Sequence, residues 1–459
     1  MKQNISNELL EFIENSPTAF HAVKTMADQL TAAGFKELKE NKRWELHRGE
    51  AYFVTRNDSS LIAFVVPQGE LNGMHILASH SDSPTFKIKE NPEMEVENHY
   101  IKLNVERYGG MLCAPWFDRP LSVAGRVIVK DPLTGRFISK LVNIDRDLVL
   151  IPNLAIHMNR EANNGYKYNA QKDLLPLYGT ISSKGAFMEL IASAANVSKD
   201  EILGHDLFLY NRQKGAVWGA ENEFISCGRL DDLQCAFASF KGLLAAFSAS
   251  SESADSTDSD KNSSVSPHSS VMPVHCVFDN EEVGSGTKQG ADSGFLSDTL
   301  LRIHKALGYD EEDLQIHLAD SLMISADNAH AVHPNYTEKA DPTNRPYVNE
   351  GIVIKFNANQ KYCTDAVSAA MFRDLCNQAD VSVQTFTNRS DIAGGSTLGN
   401  ISNTHVALNT VDIGLPQLAM HSPYETAGVK DTCYLIKAAT EFFNSCIVAE
   451  GNGNYSLGE

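Results

Sequence analysis

Histidine and acidic side chains follow apolar segments at several places in the sequence, each where a segment ends or turns. Carboxylates and imidazoles without thiolates are a ligand set that Zn²⁺, Mn²⁺ and Co²⁺ accept in proteins. A single catalytic zinc takes three protein ligands, so two histidines and three acids suit two metals sharing one carboxylate. The residues are His80 and Asp82 after the run at 75–78, Asp231 before a helical pattern, Glu281 and Glu282 after 272–278, Asp327 after 322–326, and His421 after a run ending near 411.

Two pairs among these residues have informative spacing. His80 and Asp82 are two residues apart and face the same side of an extended chain, so Asp82 can accept the second ring N–H of His80. Adjacent Glu281 and Glu282 can divide their roles, one binding a metal and the other taking a proton from water. Each pair alone also fits a structural role, as a chance His-x-Asp or a solvated turn. Their arrival with the other strand-end residues favours the metal site.

The apolar runs are the elements that must position these side chains. Short apolar runs between turn residues are typical of buried strands, and from residue 231 they alternate with helical patterns. This alternation predicts an α/β fold with a mostly parallel sheet flanked by helices, which binds ligands beyond the carboxyl ends of its strands. The predicted strands are 61–66, 75–78, 272–278, 321–326, 352–356 and 406–411, and the predicted helices are 17–33, 230–247, 364–377 and 426–443.

Residues 84–214 have a different texture, with alternating β-branched stretches at 123–130 and 136–142 and many turn residues. They predict a separate β-rich domain inserted into a catalytic domain made of 1–83 and 215–459. The segment 248–270 contains eleven serines in 23 residues and predicts a mobile surface loop, because it has little apolar surface to bury. At the N-terminus, Ser16 and Pro17 predict the N-cap and first residue of a helix that ends at Gly34.

The composition excludes several classes of function. The chain has 459 residues and a formal net charge of −19, which disfavours binding to nucleic acid. No apolar run is long enough for a membrane helix, and the N-terminal residues do not resemble a signal peptide. None of the eight cysteines forms a Cys-x-x-Cys pair, so the prediction is reduced thiols in a cytoplasmic protein.

Several long motifs carry a family resemblance. They are SPTAFHAV, SHSDSPTFKIK, WFDRPLSVAGRV, IPNLAIHMNR, GRLDDL, DNEEVGSGTKQGA, SADNAHAVHPNY and QLAMHSPYE. With these motifs the chain resembles the M18 metallo-aminopeptidases, the aspartyl aminopeptidase family. The motifs occur in the same order as in the family, and the resemblance covers about residues 5–448. The resemblance implies a two-metal catalytic α/β domain interrupted by a β-rich dimerisation domain. It also implies dimers that assemble into a tetrahedral dodecamer.

The resemblance assigns roles to individual residues. It implies that His80, Asp327 and Asp231 hold one metal, and that Glu282, His421 and the shared Asp231 hold the other. Glu281 is then the general base, and Asp82 orients His80. The resemblance also implies that the Asp231–Asp232 peptide is cis. The expected cofactors are two divalent ions per subunit, zinc first, with cobalt or manganese as alternatives. Three further substrate-binding residues are implied: Lys355 for an acidic substrate side chain, His157 for a neighbouring subunit's active site, and His333 for the oxyanion. The alternatives are a surface lysine and loop histidines.

The predicted function is a metal-dependent aminopeptidase that removes the N-terminal residue from peptides. Acidic Asp or Glu N-termini are the expected preference, with apolar ones as the alternative. A dinuclear carboxypeptidase or deacylase on a similar scaffold is the nearest competing function. A non-catalytic shell protein that keeps the dodecamer is a competitor from another class, and the complete ligand set argues against it.

Overall fold

The computed structural model describes residues 2–254 and 270–458, with side chains for 4–248 and 270–458. The helices are α1 Lys2–Glu14, α2 Ala19–Ala32, α3 Ala186–Ala195, α4 Leu230–Ala254, α5 Phe295–Leu307, α6 Glu311–Ala319, α7 Ala366–Gln378, α8 Leu398–Ser402 and α9 Asp431–Asn444. Strands β1–β11 are Lys36–Leu38, Ala51–Arg56, Ser60–Val65, Gly73–His80, Thr85–Val96, Tyr100–Tyr108, Leu121–Lys130, Phe137–Asn143, Leu177–Thr180, Ile202–Asn211 and Ala216–Trp218. Strands β12–β22 are Phe224–Cys227, Val271–Phe278, Leu322–Ala326, Ala329–His330, Ile352–Lys355, Val383–Phe386, Asn409–Gly414, Pro416–Leu418, Glu425–Gly428, Cys446–Gly451 and Asn454–Gly458.

A nine-stranded sheet forms the centre of the molecule, in the order β1-β2-β3-β13-β4-β14-β18-β16-β17. Its central strands β13, β4, β14 and β18 are all parallel to one another. These strands are apolar on both faces and almost wholly buried, because helices cover the sheet on either side. One apolar core packs against α1, α2, α4, α7 and α9, and another against α5. The predicted α/β class with a mostly parallel sheet is confirmed.

A second sheet is built from residues within the predicted insertion. It has six strands in the order β8-β7-β10-β5-β6-β9, and every neighbouring pair is antiparallel. Its own apolar core includes Phe86, Val123, Phe187 and Leu207. The chain leaves the central sheet after β4, forms this second sheet, pairs β11 with β12 in a five-stranded sheet and rejoins the central sheet at β13. The second sheet therefore interrupts the first one in sequence. Its role in dimerisation stays a prediction.

Two strand and helix boundaries differ from the sequence predictions. The strand predicted at 406–411 is β18, Asn409–Gly414, because Val406 N still donates to Ser402 O at the end of α8. The helix predicted at 426–443 begins only at Asp431, because Glu425–Gly428 pairs as β20 with β12 and β19. The first error comes from a local hydrogen bond that extends the helical end of α8, and the second from strand partners, of which β12 is distant in sequence.

The start of α2 also differs. Thr18, not Ser16, is the N-cap, with extended backbone (φ −144°, ψ 167°), and its hydroxyl hydrogen-bonds with Nδ1 of His21 at 2.9 Å. Ser16 N donates to Ile13 O, so Ser16 belongs to the turn that ends α1. The predicted N-cap at Ser16 and helix start at Pro17 are therefore wrong by two residues.

The serine-rich segment 248–270 falls partly inside α4. This helix continues to Ala254, beyond the predicted start of the loop at Ser248. Residues 255–269, the rest of the predicted mobile loop, lie outside the described residues. Within the described part of the chain, no helix has both the length and the apolar character needed to cross a bilayer.

Candidate metal centre

Three neighbouring parallel strands bring their carboxyl ends to one place. Strand β4 ends at His80, and the register places Phe278 of β13 opposite His80 and Ser325 of β14 opposite Ala78. Glu281 and Asp327 therefore follow their strands just beyond the level of His80. This is the edge where parallel α/β sheets bind ligands, so the apolar runs alone bring one histidine and two carboxylates together.

Asp231 and His421 reach the same place from other elements. Asp231 lies in the first turn of α4, where its backbone is not helical (φ −83°, ψ 108°). The peptide bond between Asp231 and Asp232 is cis, as the family resemblance implied. His421 lies in the turn between β19 and β20 with a φ of +65°, and these strands belong to a separate five-stranded sheet. The second histidine is therefore positioned by another sheet.

The acidic and imidazole groups form two clusters that meet at Asp231. Each cluster offers ligand atoms that lie within 4.8 Å of one another: His80, Asp231, Asp232 and Asp327 in the first, and Asp231, Glu282 and His421 in the second. In the first, His80 Nε2 is 3.5 Å from Asp231 Oδ1 and 3.9 Å from Asp327 Oδ1. In the second, His421 Nε2 is 3.3 Å from Asp231 Oδ2 and 3.5 Å from Glu282 Oε2. The two oxygens of Asp231 thus face different clusters.

These separations fit zinc ligands. Zinc binds nitrogen and oxygen at about 2.0–2.1 Å, and tetrahedral geometry then places neighbouring ligand atoms about 3.3 Å apart. Asp231 Oδ1 and Glu282 Oε1 are buried and have no hydrogen-bond partner among the described residues. Buried carboxylate oxygens normally have a donor or a cation. The residues present therefore fit two divalent ions.

The electrostatics of the protein groups also favour a cation. Burial, together with the neighbouring Asp231, raises the pKa of Glu282 well above its ordinary value. Burial raises the pKa of Asp327 as well. Burial lowers the pKa of His80, but the carboxylates of Asp232, Asp231 and Asp82 outweigh it and raise that pKa well above 6.5. A divalent cation reverses this balance by stabilising the ionised acids and the neutral imidazole.

Glu281 is close to the clusters but belongs to neither. Its Oε2 lies 4.0 Å from His80 Nε2, and the side chain is largely buried. Burial, with the nearby carboxylates of Asp327 and Asp82, raises the pKa of Glu281 to about 8. A carboxyl group with a pKa near neutrality can both accept and return a proton.

Asp82 connects His80 to the glutamate turn. The Nδ1 atom of His80 lies 3.3 Å from Asp82 Oδ1 and 3.1 Å from the backbone oxygen of Asp82. The same carboxylate accepts the backbone N–H groups of Glu281 at 3.1 Å and Glu282 at 3.2 Å. Tyr108 from the inserted sheet donates its hydroxyl to Asp82 Oδ2 at 2.7 Å. Asp82 therefore sets the position of His80 relative to both glutamates.

A family model described as aminopeptidase I zinc metalloprotease (M18) matches residues 12–443. The chain belongs to the M18 aminopeptidase family. Its members are metal-dependent hydrolases, and the donor set described above suits the zinc of that family description.

Known proteins agree with this assignment. A probable M18 family aminopeptidase 2 of Clostridium novyi (strain NT) is 49% identical over 449 residues, covering 96% of this chain and 99% of that protein. The structure of Ape4 in complex with Nbr1 is similar with a TM-score of 0.89 at 34% identity, over 96% of this chain and 86% of that one. The S. cerevisiae mApe1 dodecamer is similar with a TM-score of 0.81 at 28% identity, over 96% of both chains.

The three predicted substrate-binding residues of this M18 aminopeptidase lie outside the two ligand clusters. Lys355 is buried at the end of β16, where its Nζ donates to Asn328 O at 2.9 Å and lies 3.6 Å from Asp327 Oδ2. His333 lines a second cavity of about 340 Å³ that extends to Met420, the neighbour of His421. His157 is exposed in a loop of the inserted domain. Among the described contacts, none joins His157 to the clusters.

Two carboxylates, Glu425 and Asp232, support the M18 metal centre through backbone hydrogen bonds, and the sequence reasoning missed Glu425. Glu425 is buried, and it accepts Asp231 N at 3.0 Å and His421 N at 2.7 Å. Asp232 accepts His80 N at 3.1 Å and Asn328 N at 3.2 Å. Each therefore holds the backbone of metal-ligand segments. The sequence feature that could have identified Glu425 is its position four residues after His421, in the motif MHSPYE.

We expect Glu425→Gln to weaken metal binding. The amide retains one acceptor oxygen, so either Asp231 N or His421 N loses its partner and the bridging segment shifts. Loss of such a supporting contact typically costs about 10- to 100-fold in metal affinity. Zinc retained during titration with a competing chelator measures the change, with the exposed Glu45→Gln as the matched control. Equal zinc affinity in the two variants would show that Glu425 does not support the site.

Proposed function

We propose that this M18 aminopeptidase binds two zinc ions at the two clusters and hydrolyses the N-terminal residue from peptides, with a preference for Asp or Glu. The observation that carries the proposal is the sharing of Asp231, whose two oxygens face His80 and His421 at 3.5 and 3.3 Å. A shared carboxylate between two ligand sets is the arrangement of two-metal hydrolases. Cobalt or manganese suits the same oxygen and nitrogen ligands.

The residues divide the chemistry between them. When bound, the zinc ions act as Lewis acids that polarise the peptide carbonyl and lower the pKa of water. Glu281, beside His80 but outside the ligand clusters, takes the proton of the attacking water and returns it to the departing amine. Asp82 holds the backbone of Glu281 in place through its 3.1 Å hydrogen bond. The carboxylates near the clusters also suit a free α-amino group of the substrate.

The preference for acidic N-termini rests on Lys355 in this proposal. An ammonium group has three donors, and the described contacts of its Nζ use Asn328 O and Asp327 Oδ2. We assign the remaining donor to a substrate carboxylate. His333 lies on the cavity next to the His421 turn, and we assign it to the oxyanion formed during hydrolysis.

The assembly is proposed to be a homo-oligomer, a tetrahedral dodecamer built from dimers. The similar S. cerevisiae mApe1 structure is a dodecamer. The inserted domain exposes large apolar side chains, Leu133 at 94%, Phe137 at 70% and Met158 at 71%, and such exposure is typical of a subunit interface. His157, next to Met158, would then reach the active site of a neighbouring subunit. The eight free cysteines support a cytoplasmic location.

A matched panel of short peptides tests this function. We expect peptides with N-terminal Asp or Glu to be cleaved with at least about tenfold higher kcat/KM than the Leu analogue, which corresponds to about 1.4 kcal/mol. Acetylation of the N-terminus removes the ammonium group and is expected to abolish cleavage. The measurement is release of the first residue in the presence of Zn²⁺, Co²⁺ or Mn²⁺.

The outcomes separate the competing functions. Cleavage of the acetylated peptides would indicate a carboxypeptidase or a deacylase. Faster cleavage of the Leu peptide would contradict the acidic preference but leave the aminopeptidase intact. A protein that binds fewer than one metal ion per chain and cleaves none of the peptides would be a non-catalytic scaffold.

A further inference from the structure

A cavity of about 490 Å³ lies between the catalytic domain and the inserted domain. The inserted domain contributes the segment 206–211 of β10, and the catalytic domain contributes the start of α2 and the turn after β12. Asp82 and Asp231 line it, whereas both cluster histidines and Glu281 do not. The cavity therefore adjoins the metal centre through Asp82 and Asp231, on a side that Glu281 and the cluster histidines do not line. Its volume is in the range of small-molecule sites.

Arg229 is the unusual group in this cavity. It belongs to the turn after β12, with a φ of +60° that non-glycine residues rarely adopt. Its Nη2 donates to Ile13 O at 3.0 Å, while its Nε is buried with no hydrogen-bond partner. Among the described residues, Arg229 forms no ion pair, and its guanidinium lies 5.9 Å from the centre of the Tyr210 ring. A partly buried guanidinium with an unpaired Nε and no ion pair is costly, which indicates a missing anion.

Apart from Asp231, whose Oδ1 has no hydrogen-bond partner, the acids of the cavity already have partners of their own. Asp206 binds Lys87 at 2.9 Å and Arg126 at 3.0 Å, so two cations share one carboxylate. Asp279 accepts the backbone N–H of Asn280 at 2.7 Å. Glu425 and Asp82 accept backbone N–H groups of the metal-ligand segments, as described above. None of these acids forms an ion pair with Arg229, and Glu425 acts on its guanidinium only over a longer distance.

The rest of the lining indicates the body of the ligand. Trp116, Phe208, Tyr210, Pro84 and Pro423 contribute aromatic and proline surfaces. An apolar wall with one unpaired guanidinium is complementary to an apolar molecule with one carboxylate, because the planar fork of arginine matches the two carboxylate oxygens. We propose that this cavity is a binding site for a small organic monocarboxylate, whose carboxylate pairs with Arg229 and whose apolar part packs on these walls.

Calorimetric titration of the zinc-loaded full-length protein with 4-phenylbutyrate tests the proposal. We expect saturable binding of this carboxylate and at least about tenfold weaker binding of the neutral 4-phenylbutanamide. Arg229→Gln is expected to raise the Kd for 4-phenylbutyrate at least about tenfold, since the charged hydrogen bonds are lost. The exposed Arg43→Gln removes the same charge elsewhere and is expected to leave the Kd unchanged.

A second variant keeps the test independent of the folding of Arg229→Gln. Ala19→Trp, at the first residue of α2, fills part of the cavity while Arg229 stays in place, and we expect it to weaken binding by a similar factor. Binding that is unchanged in both variants would locate the carboxylate at the metals and overturn the proposal. Absence of saturable binding to the wild-type protein would also overturn it. The Kd values do not depend on turnover, so their outcome tests the carboxylate site independently of the proposed aminopeptidase function.

Discussion

Glu281→Gln is expected to lower kcat by about 10²- to 10⁴-fold while both metal ions remain bound. Glutamine has nearly the same shape as glutamate but does not accept a proton from water. Glu281 is outside the two ligand clusters, and its backbone N–H donates to Asp82, so the substitution leaves the ligands and the turn in place. The measurements are kcat on an Asp-terminated peptide and zinc content per subunit.

The adjacent Glu282 provides the matched control for this variant. Its Oε2 lies 3.5 Å from His421 Nε2 within the second cluster, so Glu282→Gln is expected to reduce metal content as well as activity. The two variants, at neighbouring glutamates of one turn, would then differ in their metal content. If Glu281→Gln keeps the wild-type kcat, Glu281 is not the general base. If it loses zinc, Glu281 is a ligand instead.

Asp231→Ala is expected to have the largest effect on metal binding, with the loss of both ions and of all measurable turnover. Its two oxygens are the group common to both clusters, at 3.5 Å from His80 and 3.3 Å from His421. Alanine leaves the backbone N–H that donates to Glu425 in place, so the support of the segment is retained. Zinc content per subunit after gel filtration measures the result, with circular dichroism as the check on folding.

Asp327→Ala is the variant with which Asp231→Ala is compared, because Asp231 is common to both clusters. Asp327 belongs to the first cluster only, so its removal is expected to weaken one site and leave the second occupied. We expect the zinc content per subunit to be highest in the wild type, lower in Asp327→Ala and lowest in Asp231→Ala. A folded Asp231→Ala protein that retains one tightly bound ion would contradict the bridging position of this carboxylate.

The central strands were predictable because their burial leaves a clear sequence pattern. The runs before His80, Glu281 and Asp327 are β4, β13 and β14, and each is buried on both faces. Such strands are mostly apolar, with His75 and His275 as buried exceptions, and the polar residues that follow them mark the carboxyl end, where ligands bind. Alternating β-branched stretches at 123–130 and 136–142 predicted the strands β7 and β8 of the inserted sheet.

The errors arose where distant pairing decides the structure. Glu425–Gly428 reads as the start of a helix, yet it forms β20 because β12, about 200 residues earlier in the chain, pairs with it. Glu425 was missed for the same reason, since its two backbone partners include Asp231, which is far away in sequence. The sequence around Arg229 does not indicate that its guanidinium lacks an ion pair either.

The sequence by itself predicted the α/β class, the residue types of the candidate metal site and the family, because burial and ligand chemistry act through residue type and local spacing. The tertiary structure alone decided how Asp231 divides its oxygens between His80 and His421, which parts of the chain support it, and where a cavity forms between the domains. These properties depend on distances between segments that only folding brings together. A one-dimensional pattern contains no information about an interatomic separation of 3 to 4 Å.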